Sequence, residues 1–211
     1  TGSGKTEVYL QTIARVLESG LTALVLVPEI SLTPQTIERF KSRFSDRKER
    51  IAVLHSHLSD GERHDEWFKV QEGRADIVIG ARSAIFAPLE KLGIIIVDEE
   101  HEPSYKQDET PRYHARDLAV VRAKIEGCVV LLGSATPSLE SFENASRGKY
   151  ELLRLTRRTD GKTMPYIRIV DMRLERRKGT AVAPQHAGMI SAKLHAAITP
   201  RLEKREQSIL F

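Results

Sequence analysis

The sequence predicts a doubly wound α/β fold, in which a mainly parallel sheet is covered by helices on both faces. Short apolar runs rich in β-branched residues alternate along the chain with segments of helical spacing. Near-continuous apolar strands separated by helices are typical of parallel sheets that are buried on both sides. Ligands of such folds bind beyond the carboxyl ends of the strands, so polar residues at those ends are the first candidates for function.

Each helix and strand is predicted from a local sequence pattern. Pro34 fits the first turn of a helix, where proline is tolerated, and Ser59 with Glu62 has the spacing of a capping box. Apolar residues at helical spacing predict helices over residues 5–18, 33–44 and 59–71. Apolar β-branched runs predict strands over residues 21–27, 51–54, 76–79, 93–97 and 129–132.

The pattern changes after residue 155. The following segment is polar and basic, and later residues are charged and then small. We expect a strand over residues 166–170, a helix over 191–205 that Pro200 interrupts, and a further strand over 207–211.

Composition narrows the class of protein without naming a partner. The 211 residues include 33 Lys and Arg against 29 Asp and Glu, a net charge of +4, which is too small to identify a nucleic-acid binder by itself. The sequence has no apolar run long enough to span a membrane. A single cysteine, Cys128, cannot form an internal disulfide, so a reducing cytoplasmic setting is expected.

A phosphate-binding loop is predicted at the beginning of the sequence. The pattern G-x-x-x-x-G-K-[ST] ends in the residues found at Gly4, Lys5 and Thr6. Gly2, Ser3 and Gly4 would let the backbone approach the phosphates of ATP. Lys5 would reach the β- and γ-phosphates, and the Thr6 hydroxyl would bind Mg²⁺. The alternative is a chance Gly-Lys-Thr at a turn.

The first glycine of this pattern would lie before Thr1, and the sequence ends inside an apolar run. We therefore expect the sequence to be an internal part of a longer protein. The alternative is that the first four residues are an artificial addition, which the helix-compatible residues that follow make less plausible.

Adjacent carboxylates follow the strand predicted at 93–97. Asp98, Glu99 and Glu100 would repel one another at the end of an apolar strand unless a cation were present, and Mg²⁺ supplies one. Asp98 would hold the metal, and Glu99 would orient and deprotonate the attacking water. The alternative is a solvated acidic turn.

A third motif, residues 133–137, follows the strand predicted at 129–132. Its hydroxyl residues Ser134 and Thr136 can hydrogen-bond to His101 or Glu99 and couple the γ-phosphate to movement. The alternative is that this segment only caps the next helix, and both interpretations can hold together.

These three motifs resemble those of superfamily 2 helicases of the DExH type, whose motor lobes have the RecA-like P-loop NTPase fold. A closer resemblance is to the PriA family of primosomal replication-restart DNA helicases. The segments that carry this resemblance are residues 28–35, 54–56, 79–84, 98–101, 104–107, 112–117 and 153–158.

The resemblance implies a domain organisation. Residues 1–155 would be the first helicase lobe, truncated inside the phosphate loop, residues 156–206 a connector, and residues 207–211 the start of a second lobe. Zinc would be expected only in that second lobe, since the sequence lacks the cysteines for it. Helicases of this superfamily place arginine fingers there, worth on the order of 10³–10⁵ in rate. We therefore expect residues 1–211 alone to be inactive.

The resemblance also implies an activity and partners. The whole protein would hydrolyse ATP with Mg²⁺ and move 3′ to 5′ on single-stranded and forked DNA. Primosomal proteins and single-strand-binding protein would be its partners, in the bacterial cytoplasm near the nucleoid and away from membranes. Lys5, Asp98, Glu99 and His101 would be its catalytic residues.

DNA contacts are expected from two kinds of segment. Residues 102–117 have neither helical nor strand periodicity, and they interleave aromatic with basic side chains, which suits unstacked nucleotides. Their candidates are Tyr105, Lys106, Arg112, Tyr113 and Arg116. At two strand ends, Ser31, Thr33, Arg82 and Ser83 would contact the DNA backbone by resemblance. The alternatives are tyrosines that cover the edge of the core, and ordinary caps.

Two other functions stay open on the sequence. One is a different superfamily 2 DNA translocase, such as a RecQ-like helicase or a restriction-complex motor. The other is a module that binds nucleotide as a structural ligand without catalysis. Asp98 and Glu99 argue against the second, because a purely structural site needs no base.

Overall fold

The computed structural model describes residues 3–156, 166–177 and 190–210. The chain divides into two compact units, residues 1–161 and 162–211. In the described ranges, no helix is both long and apolar enough to cross a bilayer. The predicted boundaries at 155/156 and 206/207 remain predictions.

The first unit contains every helix and strand predicted for residues 5–132, each to within one residue at either end. Its helices are α1 (Lys5–Glu18), α2 (Pro34–Arg43), α3 (Asp60–Gln71), α4 (Ala115–Glu126) and α5 (Leu139–Ser146). Its strands are β1 (Thr22–Leu26), β2 (Ile51–Leu54), β3 (Ile77–Gly80), β4 (Leu92–Asp98), β5 (Lys106–Gln107), β6 (Tyr113–His114) and β7 (Val129–Gly133). The capping box of Ser59 and Glu62 is present at the start of α3.

Within residues 3–156, five strands form one parallel sheet in the order β2-β3-β1-β4-β7. The register pairs Leu26 with Gly80 on one side and with Val97 on the other, and Asp98 with Gly133. The carboxyl ends of the strands therefore lie at one edge. The segments after β1, β3, β4 and β7 all begin there, as the sequence predicts.

Helices cover both faces of the sheet, so the fold is the doubly wound RecA-like lobe that was predicted. Successive residues of a strand point to opposite faces. Leu24 and Ile95 pack into a cluster with α3 and α4, whereas Val25 and Ile96 pack with α1 and α2. The β-branched strands are thus apolar on both sides because both sides are core.

The second unit contains α6 (Met172–Arg177) and α7 (Ala192–Glu203) in its described residues. The helix predicted at 191–205 is confirmed as Ala192–Glu203, but the predicted interruption is wrong, because the helix continues through Pro200. The strand predicted at 166–170 is wrong: Tyr166, Ile167 and Ile169 are largely exposed. Residues 207–210 also form no strand. An apolar run without strands to pair with has little reason to form a strand.

Candidate active site

The phosphate loop leads directly into α1. Gly4 has a left-handed backbone with φ of 86°, which glycine adopts at no steric cost, and it offers no side-chain cap to the helix. The first N–H groups of a helix have no intrahelical partner, and the helix dipole is positive there, so this end favours an anion. Gly2 lies outside the described residues, and its predicted phosphate contact is not tested.

Lys5 meets the acidic turn that follows β4. Its Nζ lies 2.7 Å from Glu99 Oε1, and both side chains are partly buried. The two residues are 94 positions apart in the chain. The sheet therefore brings together the cation and the base that sequence patterns singled out separately.

Asp98 is held from both faces of the sheet. Its side chain lies on the face of Ile96, which α1 covers, and it accepts a hydrogen bond from Tyr9 Oη at 2.9 Å. On the other face, Tyr105 Oη donates to the backbone carbonyl of Asp98 at 2.7 Å. Burial raises the pKa of Asp98, although the Tyr9 hydrogen bond and Lys5 oppose that shift. A cation bound beside Asp98 would offset the free-energy cost of burying the charged carboxylate.

The backbone at Glu99 is in an unusual conformation. Its φ is 44°, a left-handed value that costs free energy in any residue with a side chain. Glu99 N donates to Asp98 Oδ1 at 3.0 Å, and Glu102 N donates to the Glu99 carbonyl at 2.8 Å. This tight turn points consecutive carboxylates in different directions.

His101 lies between the acidic turn and the turn after β7. Its Nδ1 is 2.7 Å from Ser134 Oγ, and its Nε2 is 3.4 Å from Thr136 Oγ1. Glu99 Oε2 lies 3.8 Å from the same ring. The predicted hydrogen bonds of Ser134 and Thr136 to His101 are therefore present.

The oxygen atoms of Asp98 and Thr6 suit Mg²⁺, and the groups at the start of α1 suit a nucleotide. Both hydrogen bonds to the Asp98 carboxylate are accepted by Oδ1, and no described residue donates to Oδ2. Asp98 Oδ2 and the Thr6 hydroxyl in the first turn of α1 are oxygen ligands of the kind that Mg²⁺ prefers. Lys5 and the positive end of α1 suit the phosphates.

A cleft of about 980 Å³ runs beside this cluster in the first unit. Ser3, Lys5 and Tyr9 line one end, next to Gly133 and Ser134. The rest follows β7, α5 and residues 149–156, which are mainly apolar. The cleft therefore touches the predicted phosphate end of the site at Ser3 and Lys5.

The aromatic and basic segment is more ordered than its sequence indicates. Strands β5 and β6 pair as an antiparallel hairpin, with Lys106 opposite His114. Lys106 and Arg112 are exposed. Tyr113 contacts Phe86 edge to face, with ring centroids 5.1 Å apart, and Phe86 is half exposed. The prediction of a loop without strands is wrong, because the short hairpin has too few residues to show periodicity.

Two predicted DNA contacts are corrected by burial. Tyr105 is fully buried, so its ring has no free face on which a base could stack. Arg116 is in the first turn of α4 and also buried, and it pairs with Glu100 and Asp117. Both side chains pack inside the lobe, and for Tyr105 this agrees with the alternative that the tyrosines cover the core.

The strand-end residues have structural contacts of their own. Thr33 caps α2 by accepting a hydrogen bond from Thr36 N, and Ser31 is half buried just before it. Arg82 donates to the backbone carbonyls of Ser104 and Lys106, and so holds the hairpin against the segment after β3. Ser83 is exposed. None of these contacts excludes DNA, and their DNA roles remain predictions.

Sequence reasoning missed three residues that the structure brings to the site. Tyr9 is four positions after Lys5, on the same face of α1, and this spacing is a usable signal. Glu100 is buried between the partly exposed Glu99 and His101, and no pattern in the sequence indicates that. Phe86 joins Tyr113 only through the fold.

The parallel sheet and the cluster at Lys5, Asp98 and Glu99 fit a helicase motor lobe of RecA-like type. The chain belongs to the DEAD/DEAH box helicase family, whose model matches residues 1–145. Within the superfamily, it is similar along its whole length to replication restart proteins named PriA.

Three such relatives show the range. The chain is 53% identical to the PriA protein of Bacillus subtilis, 47% to that of Haemophilus influenzae and 38% to that of Rickettsia conorii. Each similarity covers 100% of this chain but only 25%, 27% and 31% of the relative. The chain thus spans about a quarter to a third of the length of these relatives.

Solved structures support the fold. The Pyrococcus furiosus Hef helicase domain matches with a TM-score of 0.52 and 20% identity, over 97% of this chain and 43% of that one. RecG bound to a three-way DNA junction matches with a TM-score of 0.50 and 26% identity, over 70% of this chain and 18% of RecG.

Proposed function

We propose that this chain is the ATP-binding motor lobe of a 3′-to-5′ DNA helicase that acts in replication restart. The observation that carries the proposal is the meeting of Lys5 with the Asp98–Glu99 turn beside the open first turn of α1. Similarity of 38–53% to replication restart proteins along the whole chain supports the biological role.

The residues of the site have distinct tasks. Bound Mg²⁺ would supply a positive charge that offsets the charge on the phosphate oxygens. Thr6 and Asp98 would hold the metal, and the backbone of Ser3 and Gly4 with Lys5 would bind the phosphates. Glu99 would orient a water molecule and take its proton.

The ion pair of Lys5 with Glu99 has a consequence for this task. Glu99 Oε1 accepts a hydrogen bond from Lys5 Nζ at 2.7 Å, so this oxygen is occupied while that contact lasts. An anion at the start of α1 competes for the Lys5 amine. Binding of a nucleotide would thus free Glu99 when its substrate is present.

Movement would be coupled to hydrolysis through His101. Its two ring nitrogens contact the hydroxyls of Ser134 and Thr136, and its ring lies beside Glu99. A change in the position of Glu99 would therefore be transmitted through the His101 side chain to the turn after β7.

DNA would lie along the edge where the strands end. The exposed cations Lys106 and Arg112 suit phosphates, and the pair of Phe86 and Tyr113 offers aromatic surface for an unstacked base. Ser31, Thr33, Arg82 and Ser83 would add contacts to the DNA backbone. Such contacts position a strand without reading its sequence.

The partners proposed for the whole protein are single-stranded and forked DNA, primosomal proteins and single-strand-binding protein. The relatives are named for replication restart, which supports the fork as substrate. A location in the bacterial cytoplasm, near the nucleoid, follows from that role.

The direct test is strand displacement by the full-length protein. Duplexes with a single-stranded tail at either the 3′ or the 5′ end are unwound with ATP and Mg²⁺, and the Glu99→Gln variant serves as the control. We expect the natural protein to unwind the duplex with the 3′ tail, which it enters in the 3′-to-5′ direction. We expect no unwinding by the variant. Entry only from the other end would overturn the polarity, and nucleotide binding without turnover in the natural protein would favour a non-catalytic module.

A further inference from the structure

Glu100 is a buried carboxylate that the proposed chemistry does not use. It is 1% exposed, although Glu99 and His101 on either side of it are partly exposed. Ser138 donates to its carboxylate from the backbone N, at 2.7 Å, and from Oγ, at 2.9 Å. Ser141 Oγ donates to the same carboxylate at 2.9 Å. A buried charge is tolerated only with partners of this kind, so the Glu100 side chain has a fixed place in the interior.

A cation balances the charge of this carboxylate. Arg116 Nη1 donates to Glu100 Oε2 at 3.3 Å, and Arg116 is itself buried. The same nitrogen donates to Ser138 Oγ at 2.7 Å. Ser138 is the N-cap of α5, where its hydroxyl accepts a hydrogen bond from Ser141 N at 3.2 Å. The side chain of Glu100 is therefore anchored by a connected network rather than by a single contact.

The backbone of Glu100 is attached to the same part of the lobe at a second point. Glu100 N donates to the carbonyl of Gly133, at the end of β7, at 3.0 Å. Its carboxylate accepts from the backbone N of Ser138, just before α5. Residues 134–137, the turn that contacts His101, lie between these two attachment points. Glu100 therefore ties the acidic turn after β4 to both ends of the turn after β7.

The residue before Glu100 needs an anchor of this kind. Glu99 has a left-handed φ of 44°, which a residue with a side chain keeps only where the surrounding structure enforces it. Among the described residues, the Glu99 carboxylate has polar contacts only with Lys5, at 2.7 Å, and with the ring of His101, at 3.8 Å. A nucleotide at the start of α1 would compete for Lys5. The direction of the Glu99 side chain then depends mainly on its backbone, which Glu100 holds.

We propose that Glu100 is a positioning residue for ATP hydrolysis, because it holds the strained backbone of Glu99 and so sets the direction of the Glu99 carboxylate. Glu100 takes no part in proton transfer, since both of its oxygens accept hydrogen bonds inside the lobe. This inference rests on the proposed function, because it specifies what makes Glu99 an effective base. Loss of the anchor should slow the chemical step more than it weakens nucleotide binding.

The test measures ATP turnover by the full-length protein with Mg²⁺ and saturating single-stranded DNA. Glu100→Gln keeps the shape of the side chain, but its amide group donates where a carboxylate oxygen accepted. We expect kcat to fall about 10- to 100-fold, the effect that a small misplacement of a reacting group produces. The KM for ATP and the affinity for a fluorescent ATP analogue should change by less than about threefold, because Lys5 and the start of α1 are unchanged.

The matched control is Glu126→Gln, which makes the same acid-to-amide change in an ion pair with Arg122 on α4. It should keep the natural kcat and KM. Ser141→Ala removes one donor to Glu100 and leaves the charge in place, so kcat should fall by a smaller factor. If Glu100→Gln does not fold, Ser141→Ala replaces it in the test, and an unchanged kcat in that variant would overturn the proposal.

A double-mutant cycle separates positioning from general damage to the lobe. In the Glu99→Gln background, Glu100→Gln should lower the residual single-turnover rate by less than about twofold, because the group that it positions is already absent. A residue that acts on the whole lobe would lower the rate by the same factor in both backgrounds.

The outcomes are distinguishable. If the natural protein does not hydrolyse ATP, the proposed function fails and this inference fails with it. If the natural protein hydrolyses ATP and Glu100→Gln keeps its kcat, or loses the same factor with and without Glu99, only the positioning role of Glu100 is overturned.

Discussion

Each end of the parallel sheet carries a half-buried aspartate, and the two aspartates differ in their hydrogen-bond partners. At the amino end, Asp76 lies just before β3 and accepts hydrogen bonds from Arg50 Nε and Nη2, each at 2.6 Å, and from Arg47 at 3.1 Å. At the carboxyl end, Asp98 receives one side-chain hydrogen bond, from the neutral hydroxyl of Tyr9.

The pKa directions follow from those partners. The Arg50 hydrogen bond lowers the pKa of Asp76 below its ordinary 3.8 against the effect of burial. Burial raises the pKa of Asp98, and the partners present do not offset it. The charge of Asp76 is therefore balanced by arginines of the chain, whereas the burial of Asp98 is not offset, which fits the metal site proposed there. Perturbed, incompletely paired groups of this kind cluster at functional sites.

The largest effect expected at the carboxyl end is on turnover. Changing Glu99→Gln removes the proton acceptor, so we expect ATP hydrolysis by the full-length protein to fall by about 10²–10⁴. Nucleotide affinity should be kept, because Lys5 and the start of α1 are unchanged. Turnover and binding of a fluorescent ATP analogue would be measured side by side.

The matched control for Glu99→Gln is Asp76→Asn at the other end of the sheet. It makes the same acid-to-amide change, and turnover per folded molecule should stay at the natural level. Equal activity of Glu99→Gln and the natural protein would remove Glu99 from its role.

A smaller effect is expected when Asp98 loses the hydroxyl that holds it. In Tyr9→Phe the carboxylate is less firmly oriented, so the Mg²⁺ concentration for half-maximal nucleotide binding should rise about tenfold, as for other residues that position metal ligands. Tyr105→Phe is the control, since its hydroxyl contacts the Asp98 backbone and not the carboxylate. An unchanged Mg²⁺ dependence in Tyr9→Phe would show that Tyr9 is only a packing residue.

The smallest expected effect is that of a change at the amino end of the sheet, and it alters only the stability of the fold. Asp76→Asn should lower the free energy of unfolding by about 1 kcal/mol at neutral pH. Because the folded pKa of Asp76 lies below 3.8, the stabilisation is present above that value and is lost as the pH falls through the folded pKa. Denaturant unfolding at neutral and acidic pH would measure it. A difference that does not shrink in acid would contradict the ion-pair explanation.

The same comparison shows what could be predicted from sequence. Over residues 5–132, periodicity and caps predicted three helices and the five strands of the parallel sheet, but not α4 or the β5–β6 hairpin. Motifs at the strand ends predicted that Lys5 meets Asp98 and Glu99. Periodicity failed where partners decide the outcome: residues 166–170 are apolar but have no strand beside them in the described part of the chain.

Burial was the other quantity that the sequence did not reveal. Tyr105 and Arg116 have the residue types of a DNA-binding segment, yet the fold turns them inward. Gly133 is a related case: a side chain there would collide with the Tyr9 hydroxyl, so the glycine is needed for the contact with Asp98. Such requirements arise between elements that are distant in the chain.

The most direct test of the central claim is ATP turnover by the full-length protein with and without forked DNA that carries single-stranded arms. We expect strong stimulation by DNA, because the strand-end edge holds both the nucleotide site and the exposed cations of the hairpin. Turnover that is indifferent to DNA would contradict the claim, and would leave a P-loop NTPase lobe whose partner is something other than DNA.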